Sequence, residues 1–148
     1  MSLVSMLKGK GPSGFGYGST AEDVTEGLDL GGKTILLTGC NSGIGQETLR
    51  VLAKRGAHVI AAARSVEKAR ATCDEVGGET TPVACELSEP SSVLASVSEV
   101  KALGRPLSAS MCNAGIMALP KLHLQHGYEL QFFTNHIGHF LLVTSLLD

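Results

Sequence analysis

The stretch Thr38-Gly39-Cys40-Asn41-Ser42-Gly43-Ile44-Gly45 is the clearest indication of how this chain folds. It follows the apolar residues 34–37 and opens onto a helical pattern. A strand, a glycine-rich turn and a helix in this order form a cradle for phosphate, because glycines let the backbone approach an anion closely. The helix adds unpaired N–H groups and the positive end of its dipole. The stretch therefore predicts a nucleotide site, with the binding residues Thr38, Gly39, Asn41, Ser42, Gly43, Ile44 and Gly45.

The spacing of these glycines is G-x-x-x-G-x-G, which differs from the common dinucleotide pattern G-x-G-x-x-G. In a chain with 18 glycines this spacing is a weak signal by itself. The context strengthens it, because a strand and Thr38 precede the first glycine and Ile44 lies between the last two. The alternative is a tight turn without a ligand, but a plain strand-to-helix turn needs only about one or two glycines.

The composition indicates one globular domain of 148 residues with a hydrophobic fraction of 43%. A net charge of −2 without a basic block argues against a nucleic-acid partner. No apolar run reaches the roughly 18 residues of a membrane span. The four cysteines are scattered without a C-x-x-C pair, as reduced apolar residues of an intracellular protein would be. We expect a cytoplasmic location, and a chloroplast or mitochondrion stays open.

Residues 1–20 are rich in glycine and serine and contain no acid, so we expect a flexible lead-in. They lack the apolar core of a signal peptide. Residues 20–26 predict a short helical turn capped by Thr20 or Ser19, with Glu22 and Asp23 in its first turn.

The rest of the chain alternates between apolar runs and helical patterns. Strands are predicted at residues 33–38, 57–63, 80–87 and 107–112, and helices at 43–55, 65–75, 90–103 and from about 125 to the end. This alternation predicts a doubly wound α/β fold of three layers, a parallel sheet with helices on both faces. In the first helix, the residues predicted to face the core are Ile44, Leu49, Leu52 and Ala53.

The predicted strand order is 3-2-1-4, which places a ligand crevice at the carboxyl ends of strands 1 and 4. The glycine turn ends strand 1. Asn113, Ala114 and Gly115 end strand 4. Two unusual loops at the one place where a ligand should lie both favour a nucleotide site.

The end of strand 2 favours NADP over NAD. An acidic residue about 20 positions after the glycine turn is typical of NAD binders. Here that region has no acid, and Arg64 follows the strand. A guanidinium binds a 2′-phosphate in a bidentate manner, although an ordinary solvated arginine is the alternative. Glu86 and Leu87 end strand 3 near the expected adenine, where the carboxylate of Glu86 would accept from the amino group or simply face water.

Three motifs in this order resemble the classical short-chain dehydrogenase/reductase family. They are Thr38-Gly39-x-x-x-Gly43-Ile44-Gly45, the Asn-Ala-Gly of residues 113–115, and Asn135-His136-x-Gly138-His139-Phe140. The likeness is to the retinol-dehydrogenase-like branch, which includes the WW-domain oxidoreductase and plant chloroplast-envelope relatives. The sequence Gly127-Tyr128-Glu129-Leu130-Gln131 fits that branch, and the resemblance covers about residues 20–148.

The resemblance implies a Rossmann-type fold and a nicotinamide dinucleotide cofactor. Residues 38–45 would hold the pyrophosphate and Arg64 the 2′-phosphate, while residues 113–115 would line the crevice. Glu86 stands where the family usually has Asp. Asn135 matches the catalytic asparagine, whose main-chain carbonyl helps to hold a water in a proton relay. The implied activity is hydride transfer between the nicotinamide and a carbonyl or alcohol, such as a retinoid or lipid-like compound.

The family also uses a serine and a Tyr-x-x-x-Lys pair, and neither tyrosine here provides that pair. Tyr17 is followed four residues later by Ala21, and Tyr128 by Phe132. We therefore expect residues 21–148 to be an NAD(P)-binding domain that stops before these catalytic residues. The alternative function is a non-catalytic NADP-binding or partner-binding module. Strand 4 would be an exposed apolar edge, which predicts poor solubility or disorder near the C-terminus.

Other groups of residues are weaker candidates for a functional site. His123-x-x-His126 and His136-x-x-His139 resemble zinc pairs without a third ligand, so His136 and His139 are interpreted as packed helix residues. A hydrolase would need a G-x-S-x-G elbow, which the sequence lacks. The helical pattern near the C-terminus predicts an apolar stripe that faces either the core or a second copy of the chain. The corresponding helix of the family commonly forms an oligomer interface, so the resemblance suggests a homo-oligomer through this helix. The stripe comprises Phe132, Phe133, Phe140, Leu141 and Leu142.

Overall fold

A parallel four-stranded sheet forms the centre of the computed structural model, which describes residues 9–147. Its strands are β1 (Thr34–Thr38), β2 (His58–Ala63), β3 (Thr80–Ala84) and β4 (Ala109–Met111). Their order is β3-β2-β1-β4, so the predicted strand order is confirmed. A separate two-stranded hairpin consists of β5 (Leu124–Gln125) and β6 (Tyr128–Glu129).

Helices cover both faces of the sheet. They are α1 (Ala21–Val24), α2 (Gly43–Lys54), α3 (Val66–Val76), α4 (Pro90–Ala102), α5 (Leu130–Phe132) and α6 (Gly138–Leu146), with a π-helical turn at Phe133–Ile137 between the last two. Leu49 of α2 and Cys73 of α3 pack on one face with Leu37. Val97 of α4 and Leu142 of α6 pack on the other face. The predicted three layers are therefore present.

The two central strands are buried along their whole length, because helices lie above and below them. β1 pairs with β2 on one side and β4 on the other, so that Leu36 lies between Ile60 and Ser110. These pairings bring the residues that follow β1, β2 and β4 to one edge of the sheet.

The first short helix is joined to α2 by charged side chains. Thr20 and Asp23 form a capping box, with the N–H of each residue donating to the side chain of the other at 2.8 and 3.1 Å. The carboxylate of Glu22 accepts from Arg50 at 2.7 Å and from Lys54 at 2.9 Å. The predicted cap at Thr20 is confirmed. Of the predicted lead-in, residues 1–8 lie outside the described part of the chain.

The last helix begins later than residue 125, because a hairpin precedes it. His126 and Gly127 form its turn with positive φ angles of 51° and 83°. Glu129 then caps the helix, its carboxylate accepting from the N–H groups of Gln131 and Phe132. The sequence predicted a continuous helix from about residue 125, and this prediction is wrong for the residues of the hairpin. It also placed the end of the third strand at residue 87 rather than Ala84.

Two predicted apolar faces are corrected by the side-chain exposures. Ile44 is 80% exposed and does not face the core, although Leu49 does. The stripe near the C-terminus divides, since Phe133 and Leu142 are buried while Phe132 and Phe140 are 51% and 64% exposed. Only part of this stripe therefore belongs to the core.

β4 is an edge strand, as predicted: within residues 9–147 it pairs only with β1, and all three of its residues are exposed. The cysteines Cys40, Cys73 and Cys85 are buried, whereas Cys112 beside this edge is exposed. Burial raises the pKa of Cys40 to about 11, so its thiol is neutral. Among the described residues, no helix has the length and apolar character that a membrane crossing requires.

Candidate nucleotide-binding cleft

A cleft of about 510 Å³ lies at the carboxyl ends of the central strands. The predicted binding residues that line it are Thr38, Gly39, Asn41, Ser42, Ile44, Gly45, Arg64, Glu86, Leu87, Asn113, Ala114 and Gly115. Gly43 lies beside them but lines a neighbouring groove. The structure thus brings residues from four separate loops to one place.

Residues that sequence reasoning missed complete the lining: Ala63, Cys85, Ser88, Ile116, Leu130 and Thr134. Most of them adjoin a predicted position in the chain. Leu130 and Thr134 come from the helix after the hairpin, and no motif marks them as cleft residues. The hydroxyl of Thr134 is buried and has no hydrogen-bond partner among the described residues.

A second groove, of about 630 Å³, lies between α2 and α3. Its charged side chains largely pair with their neighbours: Arg50 with Glu47 at 2.7 Å, and Gln46 with Glu75 at 3.2 Å. It lies away from the strand ends, where parallel sheets bind ligands. The smaller cleft is therefore the better candidate.

Two glycines of the turn are required by close packing between loops. A Cβ atom on Gly39 would lie 2.8 Å from the Cα atom of Ala114. A Cβ atom on Gly45 would clash with the main-chain oxygen of Gly39 and would lie 2.5 Å from the side-chain nitrogen of Asn113. Real Cβ atoms do not come so close to other heavy atoms. Gly39 therefore lets the glycine turn pack against Ala114. Gly45 lets the start of α2 pack against the main chain of Gly39 and the side chain of Asn113.

Gly43 has a different role, because the space beside it is open. Its φ of +54° favours glycine, and no heavy atom lies within 4 Å of the position of a Cβ atom. Gly43 is the first residue of α2, and the preceding Ser42 makes no side-chain capping bond. The first N–H groups of this helix of 12 residues are thus free of a side-chain cap. Such a helix start can bind an anionic group.

Asn113 and Thr38 connect the two loops by hydrogen bonds. The side-chain amide of Asn113 donates to the carbonyls of Thr38 and Gly39 at 3.0 and 3.3 Å. In return, the hydroxyl oxygen of Thr38 accepts from the N–H groups of Asn113 and Ala114, both at 3.1 Å. The end of β1 and the end of β4 therefore form one rigid wall of the cleft.

Asn135 lies in the π-helical turn, next to the cleft but not in its lining. Its side chain accepts from the N–H of Ile116 at 2.9 Å and donates to the carbonyl of Ile116 at 2.8 Å. Its main-chain carbonyl is 3.0 Å from Nδ1 of His139. Sequence reasoning missed the π turn, a feature that often occurs at functional sites. The side chain of Asn135 thus holds the loop after β4.

The charged residues of the cleft differ in their pairing. Arg64 is exposed, and no ion pair involves it in the part of the chain that the structure describes. Glu86 is partly occupied, because its Oε1 atom accepts from the N–H and the hydroxyl of Ser88 at 3.2 and 2.9 Å. The cleft therefore presents an unpaired guanidinium and a carboxylate with one oxygen in use.

The histidine pairs do not form a metal site. Residues 9–147 contain no group of three or more His, Cys, Asp or Glu side chains that could hold a metal ion. His126 lies 3.5 Å from Glu89, and His136 stacks on Phe132 with a centroid distance of 5.2 Å. His139 is buried, as its interpretation as a packed residue predicts, whereas His136 is exposed.

Comparisons with known proteins agree with this geometry. A family model for short chain dehydrogenases matches residues 33–148. The chain is 43% identical to the short-chain dehydrogenase TIC 32 B, chloroplastic, of Brassica napus, over 100% of this chain and 48% of that protein. It is 36% identical to retinol dehydrogenase 13 of Homo sapiens, over 79% of this chain and 37% of that protein. The chain thus spans less than half the length of these relatives.

A solved structure has the same architecture. It is a metagenomic short-chain oxidoreductase in complex with NADP, and it matches with a TM-score of 0.70 and 29% sequence identity. The match covers 80% of this chain and 56% of the other.

Proposed function

The chain belongs to the short-chain dehydrogenase family, as its three motifs predicted, and we propose that it is the cofactor-binding part of an NADP-dependent oxidoreductase. One observation carries the proposal: the unpaired guanidinium of Arg64 lines the same cleft that the glycine turn at the start of α2 lines. A guanidinium and a helix start both bind phosphate oxygens. NADP carries a pyrophosphate and a 2′-phosphate, which match these two groups.

Different residues of the cleft would bind different parts of the cofactor. Residues 41–45 would bind the pyrophosphate through main-chain N–H groups, because Gly43 leaves open space at the start of α2. Arg64 would bind the 2′-phosphate in a bidentate manner. Since Ser88 occupies one oxygen of Glu86, the adenine amino group would rely on the other oxygen or on the main chain.

The proposed reaction is hydride transfer at a carbonyl or alcohol carbon. When bound, the nicotinamide would supply or accept the hydride. Residues 113–115 would form one wall beside it, held by the hydroxyl of Thr38. Asn135 would help to hold a water through its main-chain carbonyl. A retinoid or lipid-like substrate is proposed from the resemblance, and the name of the related human retinol dehydrogenase 13 supports this class.

A nicotinamide-binding module without catalysis is the second candidate. Neither of the two tyrosines in the 148 residues is followed four positions later by lysine. Proton transfer to or from the substrate oxygen therefore has no assigned side chain here. Binding and turnover are for this reason measured separately.

Cofactor choice tests the proposal. The chain is titrated with NADPH and with NADH, and binding is followed by nicotinamide fluorescence. We expect tighter binding of NADPH, and in Arg64→Asp a loss for NADPH that far exceeds the loss for NADH, because a carboxylate repels the 2′-phosphate. Arg70→Asp is the matched control, since Arg70 is exposed on α3 and does not line the cleft. Equal losses for both cofactors in Arg64→Asp would contradict the assignment of NADP.

The location in the cell is a separate proposal. The name of the Brassica napus relative contains the word chloroplastic. This supports an organellar location as the alternative to the cytoplasmic location expected from the sequence. A fluorescent fusion of the whole protein in its own cells distinguishes the two.

A further inference from the structure

His139 is buried in α6, and both of its ring nitrogens are hydrogen-bonded. The residue is 6% exposed. Nε2 lies 2.8 Å from the hydroxyl oxygen of Thr38, and Nδ1 lies 3.0 Å from the main-chain oxygen of Asn135. The ring therefore joins the end of β1 to the π-helical turn, two elements that are about a hundred residues apart in sequence.

The partners determine where the proton of the ring lies. A main-chain carbonyl only accepts hydrogen bonds, so Nδ1 must carry the hydrogen and donate to Asn135. In the neutral ring Nε2 is then the acceptor, and the hydroxyl of Thr38 donates to it. For the neutral ring, this is the one arrangement in which both nitrogens are hydrogen-bonded.

The same arrangement uses the full hydrogen-bonding capacity of the Thr38 hydroxyl. With its hydrogen directed to His139, the hydroxyl oxygen keeps two lone pairs, and the N–H groups of Asn113 and Ala114 occupy them. The other acceptor in reach of the hydroxyl is the carbonyl of Met111 at 3.4 Å, which is longer than a good hydrogen bond. His139 thus decides which way the hydroxyl of Thr38 points.

We propose that His139 is a positioning residue of the cleft: it orients the Thr38 hydroxyl that holds residues 113–114 and holds the main-chain carbonyl of Asn135. The effect on ligand binding rests on the proposed function, because those residues are the ones assigned to the nicotinamide dinucleotide. The chain of bonds runs from Ala114 through Thr38 and His139 to Asn135, and each bond polarises the next. His139 acts through these neighbours and does not line the cleft itself.

The ring proton provides a direct test on the unaltered chain. Imidazole ¹⁵N chemical shifts distinguish a nitrogen that carries hydrogen from one that does not. We expect His139 to carry its hydrogen on Nδ1, with Nε2 as the bare nitrogen. A hydrogen on Nε2 alone would overturn the proposal, because Nδ1 would then have nothing to donate to Asn135.

Three variants separate positioning from simple filling of space. His139→Phe keeps the ring volume and removes both bonds. In His139→Gln the side-chain amide lies near the place of Nε2, so it keeps a partner for Thr38. In His139→Asn the amide lies near the place of Nδ1, so it keeps a partner for Asn135. His136→Phe is the control, since His136 is exposed on the same helical segment.

Amide hydrogen exchange at Ala114 is the sharpest readout. The N–H of Ala114 donates to Thr38, whereas the N–H of Asn113 also reaches the carbonyl of Met111 at 3.0 Å. We expect exchange at Ala114 to accelerate about fivefold in His139→Phe and His139→Asn, the equivalent of one hydrogen bond, and to recover in His139→Gln. If the ring of His139 only filled space, the exchange rates at Ala114 would not follow this order among the three variants.

NADPH affinity is measured on the same proteins. We expect His139→Phe to bind about fivefold more weakly, His139→Gln to recover, and His136→Phe to match the unaltered chain. If the unaltered chain binds no NADPH, the proposed function is wrong, while the ¹⁵N shifts and the exchange at Ala114 still decide the role of His139. If it binds and all His139 variants bind equally with unchanged exchange, the positioning role is wrong. Should His139→Phe not fold, the contrast between Gln and Asn decides the matter.

Discussion

The side-chain nitrogen of Asn113 lies 2.5 Å from the place that a Cβ atom on Gly45 would occupy. The same nitrogen donates to the carbonyls of Thr38 and Gly39. A Cβ atom on residue 45 would approach the main-chain oxygen of Gly39 even more closely. The third glycine of the motif is therefore required by the main chain of Gly39 and by the side chain of Asn113. The glycine turn and residues 113–115 are one packed unit.

Gly45→Ala should destabilise the chain more than Gly43→Ala. An added methyl group on residue 45 meets the main-chain oxygen of Gly39 and the side chain of Asn113. Because a main-chain atom cannot turn aside as a side chain can, the cost should reach or exceed about 3 kcal/mol, the upper end of ordinary overpacking. Residue 43 has open space, so Gly43→Ala costs only the strain of a positive φ, about 1–2 kcal/mol. Urea unfolding of both variants measures the difference. A larger loss in Gly43→Ala would contradict the close contacts described around residue 45.

Asn113→Asp should be strongly destabilising although the two side chains have nearly the same shape. The substitution removes the donor and leaves a carboxylate beside the carbonyl oxygens of Thr38 and Gly39. Loss of the donor and repulsion between oxygens together cost about 2 kcal/mol or more. Thermal unfolding measures this, with Asn41→Asp as the control, because Asn41 lines the same cleft and its side chain makes no hydrogen bond within residues 9–147. Equal melting temperatures for the two variants would contradict the role of Asn113.

The attachment of α1 should weaken as the solution becomes acidic. Hydrogen bonds from Lys54 and Arg50 lower the pKa of Glu22 from 4.5 to about 2. A lowered pKa means that the bonds are fully formed above about pH 4.5 and are lost as the pH falls towards 2. The side-chain NMR signal of Lys54 should follow this change, whereas that of Arg50 also responds to its second partner, Glu47. In Glu22→Gln the change in the Lys54 signal over this range should be lost, and a persistent change would assign it to another group.

A charge on the exposed edge strand should reduce self-association. Ser110 lies in the middle of β4, whose second edge has no partner strand within residues 9–147 and is open to pairing with another chain. We expect Ser110→Lys to lower light scattering at high protein concentration, because lysine on an edge opposes pairing between chains. Ser98→Lys adds the same charge on exposed α4 and should have little effect. If both variants reduce scattering equally, net charge rather than the edge controls association.

Much of the fold was predictable from the alternation of apolar runs and helical patterns. The parallel order β3-β2-β1-β4 follows from right-handed crossovers, and the residues of the cleft follow from loops at the carboxyl ends of adjacent strands. The hairpin before Leu130 was not predicted, because two-residue strands have too few positions to show a period. The exposure of Ile44 was also missed, since a helical pattern does not tell which residue of the first turn the core reaches.

Patterns of residue types were enough to predict the class of the sheet, the position of the glycine turn and most of the strand-end residues around the cleft, because these depend on local pattern and on the chirality of the chain. Three relationships became visible only in the folded chain: Gly45 makes room for the main chain of Gly39 and the side chain of Asn113, Ser88 occupies one oxygen of Glu86, and His139 joins Thr38 to Asn135. The first and last of these relationships join residues far apart in the chain. The physical reason is that a hydrogen bond or a steric contact depends on distances of a few tenths of an ångström, which no pattern of residue types contains.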